Sequence, residues 1–216
     1  MKKGLTELVF ILDRSGSMSG LESDTIGGFN SVLTKQKAEE GEANITTVLF
    51  DDKYELLHDR YNLLKVSQIT DKEYFVRGST ALLDAIGKTI HKIGNGQKFS
   101  AEDERAEKVM FVIITDGMEN ASVEYKPKQI KKIIERQKSK YGWEFIFLGA
   151  NIDAIEAANR FGIAEDRAVN YHADSEGTML NYQVISETVS MMRSKRSIDP
   201  GWKDRIEKDY ETRGRR

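Results

Sequence analysis

Residues 8–18 read Leu8-Val9-Phe10-Ile11-Leu12-Asp13-Arg14-Ser15-Gly16-Ser17-Met18. Five apolar residues in unbroken succession predict a strand buried on both faces, the pattern of a parallel sheet covered by helices. The run stops at an acid. Beyond it Asp13, Ser15 and Ser17 alternate, so an extended turn sets their oxygens on one side, with Gly16 easing the bend. A second reading of the same loop stays open: Asp13 and the serines cap the following helix, since Ser and Asp are favoured N-caps.

Working outward, strand and helix signals alternate. Residues 21–39 place Ile26, Phe29, Val32 and Leu33 at helical spacing, closed by Gly41. Residues 45–50 and 54–58 predict a hairpin at a sheet edge around Asp51-Asp52-Lys53. Residues 80–93 carry Leu82, Leu83, Ile86, Ile90 and Ile93 with helical period, with Thr80 placed to cap the start. Residues 94–105 lack apolar period and predict an exposed loop. Residues 109–114 form the most apolar run and predict the central strand, which also ends near an acid, Asp116. Helices are expected over 127–137, 152–161 and 179–192, and strands over 143–148 and 168–171. This order predicts an α/β fold, a Rossmann-like, doubly wound, mostly parallel sheet with helices on both faces. Residues 1–197 are expected to form one domain, and 198–216 a charged tail with little to bury, mobile or loosely docked.

Composition narrows the chemistry. Of 216 residues, 33 are Lys or Arg and 35 Asp or Glu, a formal net charge of -2, which disfavours nucleic acid as a partner. The absence of Cys removes disulfides, thiolate-bound zinc and thiol nucleophiles. The three His, His58, His91 and His172, lie in unrelated segments. No apolar run approaches the ~20 residues of a membrane helix. Met1-Lys2-Lys3 before an apolar run looks superficially like a signal peptide, but Glu7 precedes the run and Asp13 ends it, so the chain is expected to be soluble and cytoplasmic.

In open α/β sheets ligands bind beyond the carboxyl ends of the strands, so strand-terminal polar residues are the place to look. Three clusters stand there: Asp13, Ser15 and Ser17; Arg77-Gly78-Ser79-Thr80; and Thr115-Asp116-Gly117. Together Asp13, Ser15, Ser17, Thr80 and Asp116 offer two carboxylates and three hydroxyls, with no nitrogen or sulfur. Oxygen-only donors suit a hard cation, and a few neutral hydroxyls beside carboxylates suit Mg²⁺, with Mn²⁺ or Ca²⁺ as alternatives.

These residues resemble the metal-ion-dependent adhesion site of a von Willebrand factor type A domain. Its D-x-S-x-S motif is matched by Asp13, Ser15 and Ser17, its threonine by Thr80 in Gly78-Ser79-Thr80-Ala81-Leu82, and its later aspartate by Asp116. The resemblance covers about residues 5–195 and is similar to stand-alone bacterial members. It implies about six strands with one antiparallel edge, direct contact of Ser15, Ser17 and Thr80 with the ion, and action of Asp13 and Asp116 mainly through water. It further implies a protein partner that presents an Asp or Glu to the metal. The alternative is a metal-dependent phosphohydrolase or phosphotransferase using Asp13. Enzymes of that kind carry a second Asp two residues later, where this chain has Ser15, so catalysis is not expected.

Other residues read more plainly. Asp51 and Asp52 suit a hairpin turn, Asp84 either a contact near the site or an exposed helix position, and Glu119 and Asn120 either the rim or a cap. Arg14 and Met18 are expected to be exposed on the loop. Lys131-Lys132 and Lys195-Arg196 read as solvated charge. Gly94-Asn95-Gly96-Gln97-Lys98 lacks the spacing of a phosphate cradle.

Overall fold

The run at residues 8–12 lies in the middle of β1 (Lys2–Asp13), and none of its five side chains is more than 1% exposed. The computed structural model describes residues 1–194 and 197–214. β1 pairs in parallel with β2 (Ala43–Phe50) on one side and β4 (Ala106–Thr115) on the other. β5 (Glu144–Gly149) and β6 (Ala168–Asn170) continue the parallel sheet, and β3 (Tyr54–Asn62) closes the far edge antiparallel to β2. The resulting order is β3-β2-β1-β4-β5-β6. The chain leaves β1 toward one edge and later returns to its other side, so the direction of winding reverses between β1 and β4. The carboxyl ends of those two strands therefore flank the crevice where doubly wound sheets bind ligands.

The strand period of two divides the core into two layers. Leu8, Phe10 and Leu12 face α1 (Glu22–Ala38), α5 (Ser175–Arg193) and α6 (Asp204–Arg213). Val9 and Ile11 face α2 (Leu82–Phe99), α3 (Pro127–Tyr141) and α4 (Ala154–Arg160). Each such side chain contributes roughly 1.5–3 kcal/mol by leaving water, which fixes β1 and holds the Asp13 loop at the crevice.

Three expectations are corrected. Residues 94–99 are helical, because Ile86, Ile90, Ile93 and Gln97 form one buried stripe that carries α2 on to Phe99. The segment after 198 has much to bury: Ile198, Trp202 and Ile206 join the layer formed by α1 and α5. Thr80 does not cap α2, whose N-cap position is Ala81, and its hydroxyl is used elsewhere. Lys195-Arg196 and the last two residues of the tail lie outside the described residues. No helix among the described residues is long and apolar enough to cross a membrane.

Candidate metal centre

Asp13 ends β1, and the chain turns at once because its Oδ1 accepts the Ser15 N–H at 2.7 Å. Its Oδ2 accepts the Thr115 hydroxyl at 2.5 Å, so the last residue of β4 fixes the carboxyl on the neighbouring strand. Tyr74 secures the same residue from behind, donating its hydroxyl to the Asp13 carbonyl at 2.5 Å. The loop that carries Thr80 is stitched on by backbone: Gly16 N–H donates to the Gly78 carbonyl and Arg77 N–H to the Arg14 carbonyl. Gly78 has φ +66°, and a Cβ there would lie 2.1 Å from an Asp52 carboxylate oxygen, so this approach requires glycine.

These links bring all five expected residues together. The Thr80 hydroxyl donates to Ser15 Oγ at 2.9 Å, and Ser15 Oγ lies 3.1 Å from Ser17 Oγ. Asp13, Ser15, Thr80 and Asp116 are buried, while Ser17 is exposed at the mouth. Gly117 forms the floor beside them: a Cβ there would stand 2.8 Å from Ser17 Oγ and 3.4 Å from Thr80 Oγ1. None of the hydroxyls caps α1, whose N-cap position is Leu21, so the capping reading of the loop does not hold.

The electrostatics are one-sided. Among the described residues no cationic side chain pairs with Asp13 or Asp116, whose carboxyls meet only hydroxyl, amide and backbone donors. Burial raises the Asp13 carboxyl above its usual range. Burial likewise pushes Asp116 up to about 6, with the nearby Asp13 charge adding to the rise and the Asn151 amide opposing it. Two desolvated carboxyls side by side fit a bound cation. Among the described residues no three His, Asp or Glu side chains gather as a carboxylate- or imidazole-rich centre. The donor set is instead mixed: two carboxyls and three hydroxyls, all hard oxygen, suited to Mg²⁺ and unsuited to soft metals.

No family model and no curated protein matches the chain. Solved structures do. A von Willebrand factor type A protein from Catenulispora acidiphila is 14% identical, with a TM-score of 0.57, covering 86% of this chain and 42% of its own. The ArnB paralog VWA2 from Sulfolobus acidocaldarius is 17% identical, with a TM-score of 0.54, covering 87% and 45%. The SpRpn10 VWA domain is 11% identical, with a TM-score of 0.55, covering 83% and 94%. The chain has a von Willebrand factor type A-like fold. It spans less than half the length of the first two of these structures, and at such identities the likeness carries the fold alone.

Within this von Willebrand factor type A-like fold, several neighbours of the site differ from expectation. Arg14 is fully buried, not exposed: its Nη2 meets Glu55 at 2.6 Å and its Nε lies 3.4 Å from Asp51. Asp51 does lie in the expected hairpin turn between β2 and β3, where its Oδ1 accepts the Lys53 N–H at 2.6 Å, but it is fully buried there and Arg77 pairs with it. Met18 is buried at 2% exposure. Asp84 is neither at the metal loops nor exposed; its carboxylate accepts the backbone N–H groups of Val123, Glu124 and Tyr125 and so pins the segment after Asp116. Asn120 caps the Thr80 N–H at 3.0 Å. Two supporting residues escaped the sequence reading. Tyr74 lies 61 positions from Asp13, and Asn151, at φ +54°, donates to Asp116 Oδ1 at 2.5 Å. An Asn just after the apolar strand of residues 144–149 was the available signal, since Asn tolerates the left-handed region.

Proposed function

We propose that this chain is a divalent-metal-dependent protein-binding module that captures an Asp or Glu of a partner protein. Ser15, Ser17 and Thr80 would hold Mg²⁺ directly, with Asp13 and Asp116 acting through water; Mn²⁺ or Ca²⁺ would suit the same oxygens. The observation that carries this reading is the pairing of two buried, cation-free carboxyls with three hydroxyls linked at 2.9 and 3.1 Å. When bound, the ion supplies a positive charge that neutral hydroxyls leave incompletely neutralised and that a partner carboxylate can ligate.

The residues of the chain prepare that event. Thr115 and the Ser15 N–H hold the Asp13 carboxyl in one orientation, and Asn151 does the same for Asp116. Gly117 keeps the space beside Ser17 and Thr80 free of side chain. Ser17, exposed at the mouth, marks the side from which a partner arrives. Binding rather than catalysis is favoured because Ser15, where a phosphotransferase would place its second acid, is a hydroxyl engaged by two neighbouring hydroxyls.

The test is a Mn²⁺ titration followed by electron paramagnetic resonance, on the native protein and Thr80→Ala, with and without a short Asp-containing peptide. One bound ion, weakened ~10–100-fold in a folded Thr80→Ala and showing an altered spectrum with the peptide, is the expected result. A folded native protein that binds no Mn²⁺ even with the peptide overturns the reading.

A further inference from the structure

The mouth of the metal centre is rimmed by small neutral residues. Gly16, Ser17, Gly78, Ser79 and Asn120 are exposed on its three loops and carry no charge. Glu119, the acid of the last loop, is turned away: its carboxylate accepts the Leu83 N–H at 2.9 Å, the Ala121 N–H at 3.1 Å and the Ser122 N–H at 2.8 Å. Met118 stands out against this rim. It is 72% exposed, whereas Met18, on the Asp13 loop, is buried.

Isolated apolar side chains are common on protein surfaces, so exposure alone decides nothing. Two further observations do. The first is position: Met118 follows Gly117, whose Cβ would stand 2.8 Å from Ser17 Oγ. With consecutive Cα atoms 3.8 Å apart, the Met118 side chain begins within about 8 Å of that exposed hydroxyl. The second is restraint. The Thr80 carbonyl accepts the N–H groups of Asn120 and Ala121 at 3.0 and 3.1 Å, Asn120 Oδ1 accepts the Thr80 N–H, and Asp84 holds the N–H groups of Val123, Glu124 and Tyr125. The loop that carries Met118 is thus tied to Thr80, which also supplies a hydroxyl to the centre. A loop already ordered loses little entropy on binding. Its methionine, flexible and polarizable, adapts to apolar side chains of different shape.

We propose that Met118 forms an apolar subsite beside the metal, so that the partner segment carries a large apolar residue two positions from the captured Asp or Glu. An extended segment rises about 3.3 Å per residue and returns side chains to the same side every second position, a spacing of about 7 Å that matches the reach from Ser17 to Met118. The acid meets the ion and its apolar neighbour meets Met118. The neutral rim gives a second charge on the segment no counterpart. This inference rests on the metal reading of the same site.

Calorimetric titration of the full chain loaded with Mn²⁺ tests it, using two probes: a short glycine peptide with a central aspartate and a leucine two positions to either side, and the same peptide with serine in place of leucine. The leucine peptide should bind ~10-fold more tightly. Met118 is exposed, so Met118→Ser should stay folded, and it should cut that preference below ~3-fold without weakening Mn²⁺ binding. Val123→Ser, at 78% exposure on the same loop but held over α2 by Asp84, should keep the preference. Equal affinity for two peptides that are both released by chelator, a leucine preference that survives Met118→Ser, or binding of neither peptide to the Mn²⁺-loaded chain at ~1 mM would overturn this inference alone. Failure of the chain to bind Mn²⁺, or peptide binding that persists in chelator, would overturn the metal reading and this inference with it.

Discussion

The two ends of the sheet are electrostatic opposites. At the carboxyl ends of β1 and β4, Asp13 and Asp116 are buried with no cationic side chain of the described residues paired to them. At the amino ends of β4 and β5, four cations, Lys98, Arg105, Arg136 and Lys140, stand around a cavity without an ion pair among the described residues. Elsewhere the molecule pairs charge readily: Arg60 reaches the fully buried Glu7 at 3.0 Å, and Arg213 holds Asp174 at 2.6 Å. Buried charge elsewhere that lacks an ion pair is met by neutral groups of the chain, as Asp84 is by three backbone N–H groups and Arg193 by the Gln36 and Gly41 carbonyls. A buried group that its own chain does not satisfy costs stability, and that cost is recovered when a ligand of opposite sign arrives.

The largest expected effect concerns the acidic end. Asp13→Ala removes the carboxyl that both orders the Ser15 loop and faces Asp116, and Mn²⁺ affinity should fall ~100-fold or more. Paramagnetic titration measures it; retention of native affinity would mean that the carboxyl serves only the turn. Next comes Gly117→Ala. The added Cβ would stand 2.8 Å from Ser17 Oγ, forcing that hydroxyl out of the cluster. Affinity for the ion should drop about tenfold, while overpacking costs roughly 1–3 kcal/mol in urea unfolding. An unchanged affinity would remove Ser17 from the binding set.

The acidic end was legible in the sequence because its residues sit where strong local signals stop. Asp13 terminates five apolar residues, and Asp116 follows the run at 109–114, so fold and site share the same strand ends. Partners from distant elements were not legible. Arg14 reads as a solvated residue because nothing local shows that Asp51 and Glu55, on another hairpin, will enclose it. The basic end was missed for a different reason. The stripe Ile86, Ile90, Ile93 continues with correct period to Gln97, but the side chain becomes polar there and two glycines precede it, so the helix reads as ended. Ile198, Trp202 and Ile206 show the same difficulty: they are spaced four apart, yet Pro200, Gly201 and dense charge mask the period.

A smaller effect tests whether the two ends are independent. They are separated by the length of β4 beyond Val109, roughly 20 Å at the usual strand rise. On the proposed reading Mg²⁺ binds the folded state alone, so it should raise unfolding free energy by mass action, about 2.7 kcal/mol at a hundredfold excess over Kd. Arg136→Gln, at the other end, should leave that increment unchanged within ~0.5 kcal/mol. A coupling well above that in paired urea titrations would show that the sheet transmits between its ends, and the comparison of two separate ends would give way to one linked system.

The smallest effect separates a cation placed for the helix from one that only adds to the repulsion among its neighbours. Lys140 lies in the last turn of α3, beside carbonyls that lack intrahelical partners, so Lys140→Gln should lower stability by ~0.3–1 kcal/mol at low salt. Arg136 is too far from that end to gain as much and shares the cavity with three other cations, so Arg136→Gln relieves repulsion. The two exposed substitutions should therefore move unfolding midpoints in opposite directions without ligand, and salt should shrink both shifts by screening. If Arg136→Gln destabilises as much as Lys140→Gln, then Arg136 serves α3 itself, and the contrast between the two ends loses one of the four cations on which it rests.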